Sequence, residues 1–240
     1  MSQETRIIPQ EVPRKFYAQH LKPYEFLRNN SAAGKKILEV GCGDGYGCAY
    51  LACAADKVVG LDYEKDVVSA AQAKYKAPNL SFVCMDAARL QFEDGAFDVV
   101  CSFQVIEHIL EDRLPRYLSE IKRVLKTGGK FYLSTLNLEH AMKPHAAYKK
   151  NPAHRKEFNA RELKDLLSGV FPGFKIYGLN LSLKHCFYQR LKKTGILRFL
   201  PAGVNPVSRF YDRITTADFV ITADALRKAS DFICVCTKGY

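Results

Sequence analysis

The sequence predicts an α/β fold built on a mostly parallel sheet of seven strands with helices on both faces. Three observations predict it. Short apolar runs at residues 37–40, 57–62, 80–85, 96–103 and 130–135 read as buried strands, and stretches of helical period separate several of them. Strand, helix, strand repeated along a chain implies parallel pairing through right-handed crossovers. The residues best suited to chemistry, Asp62, Asp86 and the glycines that begin at Gly41, fall at the carboxyl ends of these runs, where an open parallel sheet receives its ligands.

Residues 11–30 place Phe16, Tyr17, His20, Leu21, Tyr24 and Leu27 at helical spacing. Pro23 interrupts them, so two short helices are expected. The rest of the chain is organised around the stretch 36–47, KILEVGCGDGYG. Ile37, Leu38 and Val40 form a strand, and Gly41, Gly43, Gly45 and Gly47 let the backbone turn beneath a ligand with no side chain in the way. A helix at 48–55 would then present its free N–H groups to that ligand. A dinucleotide fingerprint counted from Gly41 requires glycine at position 46, where Tyr46 stands, which weakens a pyrophosphate reading. The second strand ends in Asp62, 21 residues beyond Gly41, where a carboxylate can accept both hydroxyls of a ribose and would repel a 2′-phosphate.

A helix over 64–75 has Val67, Val68, Ala71 and Tyr75 as its apolar face. The third strand closes at Asp86 and Ala87, and the fourth is succeeded by a helix expected over 105–125, which Gly128 and Gly129 end. Residues 137–158 form a polar loop with His140, His145, His154 and Tyr148, long enough to carry acceptor contacts. Asn159 caps a helix over 159–167, and strands at 174–179 and 230–237 complete the seven. Between those two strands, Leu183, Phe187, Leu191 and Phe199 interleave with Lys184, Arg190, Lys192, Lys193 and Arg198 in a basic amphipathic stretch.

Composition sets the bounds. The chain has 240 residues, 48% hydrophobic and 25% charged, as expected of one large globular domain. It contains no apolar run long enough to span a membrane and no apolar core of a signal peptide near residue 1, so a cytoplasmic location is expected, with a peripheral membrane contact open. Its eight cysteines form no Cys-x-x-Cys pair, which excludes a zinc module and fits a reducing compartment. The net charge of +11 is local: residues 141–210 hold 14 Lys+Arg against 3 Asp+Glu, while residues 1–140 balance at 18 against 18 and residues 211–240 at 4 against 4. An anionic partner near 141–210, or a solvated basic face, accounts for that asymmetry.

The acid Glu39 before G-x-G-x-G, with Asp62 and Asp86 at the next strand ends, resembles the motifs of class I S-adenosylmethionine-dependent methyltransferases. HLKPYEFL, GCGDGYG, CSFQVIEHI, RVLKTGGKFYLSTLN and NPAHRKEF extend the resemblance over residues 20–180, to a branch associated with sugars of surface polysaccharides, lipid-linked glycans and quinone-type O-methylation. That branch usually has an acid at the position of Gln104 and proline at those of Thr127 and Leu136. The resemblance implies a Rossmann-like sheet whose last strand runs antiparallel between the fifth and sixth. It implies S-adenosyl-L-methionine as cofactor, held by Glu39, Gly41, Cys42, Gly43, Gly45, Asp62, Tyr63, Asp86, Ala87, Phe103 and Gln104. Within that set Asp86 would accept from the adenine amino group and the Ala87 backbone would read a ring nitrogen. It further implies an N-terminal helix lying over the cofactor as a lid, whose Tyr17, His20 and Tyr24 either line the substrate cleft or pack on the core. Residues 1–34 would then be the lid, 35–180 the cofactor-binding core, 181–220 a basic insertion capping the acceptor pocket, and 221–240 the final strand.

Methyl transfer to a hydroxyl requires in-line placement, exclusion of water and removal of a proton. The catalytic candidates are His108 as general base, Glu107 orienting it, and His154. The alternative for the first two is structural, Glu107 stabilising a helix start and His108 packing on the sheet. Gln104, Glu107, His108 and His154 also match in position the E-x-x-E-H and later histidine that bind divalent metal in small-RNA 3′-end methyltransferases, which implies a candidate Mg²⁺ or Mn²⁺ site in which Gln104 is a neutral replacement for a charged ligand. The expected partner is a small-molecule, glycan or lipid-linked hydroxyl acceptor, with membrane-surface contact through 181–200. The rivals are an RNA 2′-O-methyltransferase and a non-catalytic cofactor-binding or scaffolding protein.

Overall fold

The computed structural model describes residues 7–142, 148–224 and 226–239. Eight strands form one sheet in the order β3-β2-β1-β4-β5-β8-β6-β7. They are β1 Lys36–Val40, β2 Lys57–Asp62, β3 Leu80–Cys84, β4 Phe97–Phe103, β5 Leu125–Leu136, β6 Gly173–Leu181, β7 Phe219–Thr222 and β8 Asp231–Thr237. The first five pair in parallel, and β8 runs antiparallel between β5 and β6, as the resemblance implied. The expected count of seven is corrected to eight by β7, which pairs antiparallel along the outer edge of β6. Its four residues carry no alternating pattern long enough to register as a strand in isolation.

The helices are α1 Arg14–Leu27, α2 Tyr46–Ala52, α3 Lys65–Lys74, α4 Leu114–Val124, α5 Leu138–Ala141, α6 Ala160–Ser168, α7 Leu183–Thr194 and α8 Pro206–Asp212. Because side chains alternate across a strand, the central strands feed two cores. Leu38, Val59 and Val100 pack with Tyr117, Leu118 and Ile121 of α4 and Leu163 and Leu167 of α6. On the opposite face Ile37, Val58 and Val99 pack with Tyr24 and Leu27 of α1, Leu51 of α2 and Val68 and Ala71 of α3. A third cluster joins Ala18 of α1 to Leu179, Phe210, Ile214, Phe219 and Ile233, so the segment after β6 is anchored on the N-terminal helix.

Three boundaries differ from expectation, each for a local reason. Pro23 does not divide the N-terminal segment, because α1 runs through it as one helix and continues into a wider turn at Arg28–Ala32. The lost backbone hydrogen bond is offset by the burial of Tyr24 and Leu27 one and four residues later. The helix expected over 105–125 is instead a tight turn at Ile106–His108, a second at Glu111–Arg113, and then α4, which begins with Pro115 in its first turn. Proline starts a helix more readily than it continues one. β5 begins at Leu125, before the two glycines, and Gly128 within it has a φ of 74°. The capping box forms as its sequence suggests: the Glu162 N–H donates to Asn159 and the Glu162 carboxylate accepts from the Asn159 N–H.

Candidate active site

The end of β1 makes the floor of a cavity of about 400 Å³. The Gly41 and Cys42 N–H groups both donate to the Leu61 carbonyl, at 2.7 and 2.8 Å, which ties the glycine turn to β2. Gly41 has a φ of 78°, and a Cβ there would lie 2.5 Å from the Val105 side chain, so no larger residue fits this bend. The Gly43 N–H donates to one Asp62 oxygen at 3.1 Å and the Glu64 N–H to the other at 3.1 Å, fixing the carboxylate beside the turn. Helix α1 covers this floor and contributes Phe16, Gln19, His20 and Tyr24 to the cavity wall.

The same cavity is lined by Glu107, His108 and His154, each of which places one potential ligand atom within 4.8 Å of the others. The loop that carries His154 is docked by main-chain bonds, since the Arg155 and Lys156 N–H groups both donate to the Glu107 carbonyl. His108 Nδ1 lies 3.1 Å from the Ala153 carbonyl, an acceptor only, so Nδ1 carries the proton and Nε2 keeps its lone pair. His154 Nδ1 is held 2.6 Å from Glu157. Burial pushes the Glu107 carboxyl up to about 8, against its own backbone N–H and the Thr135 hydroxyl, with Asp231 and Glu157 adding to the rise. Burial lowers His108, and it lowers His154 to about 4 with help from His108 and Lys150. Both imidazoles are therefore neutral at pH 7.

Gln104 sits at the junction with a φ of 56°, uncommon for a residue other than glycine. Its amide nitrogen donates to Ser134 at 3.2 Å and to Asp231 at 3.3 Å. The other Asp231 oxygen accepts from Gln19 of α1 at 2.8 Å and from Ser230 at 2.7 Å. Asp231 thus ties the covering helix, the end of β4 and the start of β8 together inside the cavity wall.

Of the sequence candidates, Gly41, Cys42, Gly43, Asp62, Phe103, Gln104, Glu107, His108 and His154 line this one cavity. Others do not. Glu39 is fully buried and accepts from the Tyr24 hydroxyl and the Cys48 thiol, so Tyr24 stands between it and the cavity. Gly45, with a φ of 89°, serves as the cap of α2. Tyr63 is exposed, and Asp86 bonds to Arg113 and to the Ala88 N–H, leaving it and Ala87 outside the wall. Of the lid residues, His20 and Tyr24 reach the cavity, whereas Tyr17 packs edge-on against Tyr46. No described residue of 181–220 lines it, so that segment packs on α1 instead of closing the cavity directly. His140 bonds to the Lys228 carbonyl, away from the cluster, and His145 lies outside the described residues. Sequence reasoning missed Gln19, Asp44, Tyr46 and Asp231, all of which line the cavity.

Comparison with known proteins bears on this geometry. The methyltransferase domain family matches residues 38–133, from β1 through most of β5. A probable S-adenosylmethionine-dependent methyltransferase of Mycolicibacterium smegmatis is 37% identical over 161 residues, 67% of this chain and 60% of that protein. The chain belongs to the class I S-adenosylmethionine-dependent methyltransferases. A phthiotriol/phenolphthiotriol dimycocerosates methyltransferase of Mycobacterium leprae is 39% identical over 99 residues, covering 40% of this chain and 36% of that one. A solved structure from Thermotoga maritima, described as a possible histamine N-methyltransferase, superposes with a TM-score of 0.64 at 17% identity over 94% of this chain and 93% of its own, which shows a shared methyltransferase fold. The chain spans 60% or less of the length of these two curated mycobacterial relatives.

Proposed function

We propose that this chain transfers the methyl group of S-adenosylmethionine to a hydroxyl of a small-molecule, sugar or lipid-linked acceptor. The observation that carries the proposal is the meeting, in one cavity, of the glycine turn and Asp62 with the Glu107, His108 and His154 cluster. The turn fits an adenosyl cofactor because Gly43, which lines the cavity, leaves bare backbone there, with nothing within 4 Å of where a Cβ would stand. When bound, the cofactor supplies a methyl group activated by its positive sulfur. The chain's own residues have three tasks. Asp62 accepts the ribose hydroxyls, exchanging or sharing the backbone donors that now occupy it. Helix α1 excludes water from above. His108 Nε2, unprotonated at pH 7, takes the acceptor's proton.

The lipid-linked acceptor draws support from relatives named for methylating phthiotriol and phenolphthiotriol dimycocerosates, which are lipids. A screen of methyl transfer over lipid-linked glycans, nucleotide sugars, quinone precursors and short RNA tests the proposal. Transfer to a hydroxyl acceptor other than RNA upholds it, and transfer to RNA alone replaces it with the RNA reading.

One observation favours a second reading of the cluster. Both histidines have Nδ1 engaged, His154 by a carboxylate, so their Nε2 atoms, together with the Glu107 carboxyl once it loses its proton, would make a three-donor set. Two imidazoles and one carboxyl would suit Mn²⁺ better than the harder Mg²⁺, and such a cation would lower the pKa of an acceptor hydroxyl. Gln104, whose amide nitrogen bonds to Ser134 and Asp231, would join that set only through its amide oxygen, a neutral donor.

A further inference from the structure

Helix α7 has an inner and an outer face. His185 is buried against the rings of Phe210, Tyr211 and Phe219, and Tyr188 stacks on Phe210 at 4.3 Å. That packing commits the inner face and turns Leu183 and Phe187, one helical turn apart, into solvent. Leu183 is 91% exposed, and past the helix Phe199 is 80% exposed, with Ile196, Leu200 and Val204 also uncovered. Six of the eleven large hydrophobic side chains exposed among the described residues thus fall within residues 183–204. Scattered exposed apolar residues are ordinary, whereas such a concentration marks a surface that meets something.

Charge says what it meets. Residues 181–210 contain six Lys and Arg and no Asp or Glu. Two of these cations serve the fold, Lys184 paired with Asp218 at 3.6 Å and Lys192 over the Tyr211 ring. Arg190, Lys193 and Arg198 are exposed in the same segment, Arg198 with its guanidinium 4.8 Å from the centre of the Phe199 ring. Apolar groups between cations complement a surface that is apolar beneath and negative on top, the cross-section of an anionic lipid leaflet. A nucleic acid would match the cations but not the aliphatic Leu183, Ile196 and Val204. No helix among the described residues is long and apolar enough to cross a membrane, so the contact would be interfacial.

We propose that α7 and the turn after it, residues 183–204, dock this protein on an anionic lipid bilayer. The placement suits the lipid-acceptor reading, on which the purpose of docking rests. α7 starts where β6 leaves the cavity side of the sheet, two residues after Leu181, and Leu179 of β6 lines the cavity. The unit behind it, through Phe210, Ile214 and Phe219, packs on the covering helix α1. A docked α7 therefore brings the covered cavity close to the bilayer surface.

The test needs neither cofactor nor acceptor, so its failure is separable from failure of the methyl-transfer reading. The whole chain is sedimented with vesicles of phosphatidylcholine alone or with phosphatidylglycerol added. Binding is expected only to the anionic vesicles, falling as salt rises. Arg190→Glu, Lys193→Glu and Arg198→Glu together should weaken it on the order of a hundredfold. Phe187→Asp with Phe199→Asp should weaken it roughly tenfold or more, with an unchanged melting temperature because neither ring is buried. Absence of binding to anionic vesicles overturns the proposal, as does binding that the Phe187 and Phe199 changes leave intact. It is also overturned if Phe187→Asp abolishes a concentration-dependent dimer while vesicles never bind, or if the charge reversals affect only binding to short RNA.

Discussion

The Tyr24 hydroxyl on helix α1 donates to the Glu39 carboxylate at the end of β1, and both side chains are buried. This bond fastens the covering helix to the first strand from inside the core. The Cys48 thiol donates to the other Glu39 oxygen at 2.8 Å. Burial nevertheless outweighs both donors and pushes the Glu39 carboxyl up to about 7, with Asp62 contributing in the same direction. The folded chain therefore binds a proton at Glu39 more tightly than the unfolded chain does. Its contribution to stability is complete at pH 4 and is lost as pH rises through 7, a loss on the order of 3 kcal/mol. Glu39→Gln cannot titrate, so its stability relative to the parent should increase between pH 4.5 and 7, read by urea unfolding at a series of pH values. A constant difference would show that Glu39 keeps an ordinary pKa.

Gly47 lies directly under the same tyrosine, and a Cβ built on it would fall 2.1 Å from the Tyr24 ring. Gly47→Ala must push the ring off its seat and should cost about 1–3 kcal/mol by overpacking. In a Tyr24→Ala background the same change should be neutral or stabilising by up to about 1 kcal/mol, since alanine favours α2 over glycine. A double-mutant cycle on thermal unfolding checks the coupling. Additive effects would mean that the ring does not occupy this site.

Asp62 should decide cofactor affinity. Asp62→Ala removes the proposed acceptor for two ribose hydroxyls and also frees the Gly43 and Glu64 N–H groups that now bond to it. Calorimetry with S-adenosylhomocysteine should show affinity falling roughly a hundredfold, as expected for loss of hydrogen bonds to a charged partner. Asp86→Ala should have little effect on the same measurement, because its carboxylate is paired with Arg113 outside the cavity wall. Undiminished binding by Asp62→Ala would reject the ribose assignment.

The parts of the fold and site that the sequence made legible are those encoded by neighbours in the chain. The glycines from Gly41 announce a turn because their conformations are local, and five parallel strands are implied by apolar runs of the right length. Glu107, His108 and His154 were legible only through their motifs, since a loop some 45 residues later is brought back by hydrogen bonds to the Glu107 carbonyl. Asp231 carried no signal at all. It lines the cavity because β8 is reversed, so the first residue of that strand lies beside the last residues of β4 and β5. Once β8 is placed antiparallel, site residues are to be sought at its start, a rule that would have found Asp231. Gln19 was hidden for a related reason, its partner being 212 residues away.

Proton transfer to His108 and metal binding by its cluster differ in their response to pH and to chelator. If His108 takes the acceptor's proton, its unprotonated form is the active one, and burial holds its pKa below the usual histidine value. The rate should then be level at neutral pH and fall as pH drops through a pKa below 6.5, with no response to chelator. His108→Ala should lower turnover about 10²–10⁴-fold while leaving affinity for S-adenosylhomocysteine unchanged, as expected of a group that acts on the acceptor and not on the cofactor. A divalent cation held by Glu107, His108 and His154 predicts something different. Dialysis against a chelator should abolish turnover, Mn²⁺ should restore it, and Glu157→Gln, which removes the carboxylate holding His154, should raise the Mn²⁺ requirement about 10- to 100-fold. Chelator-resistant turnover that Glu157→Gln barely changes would leave the proton-transfer assignment standing, and full turnover by His108→Ala would remove both.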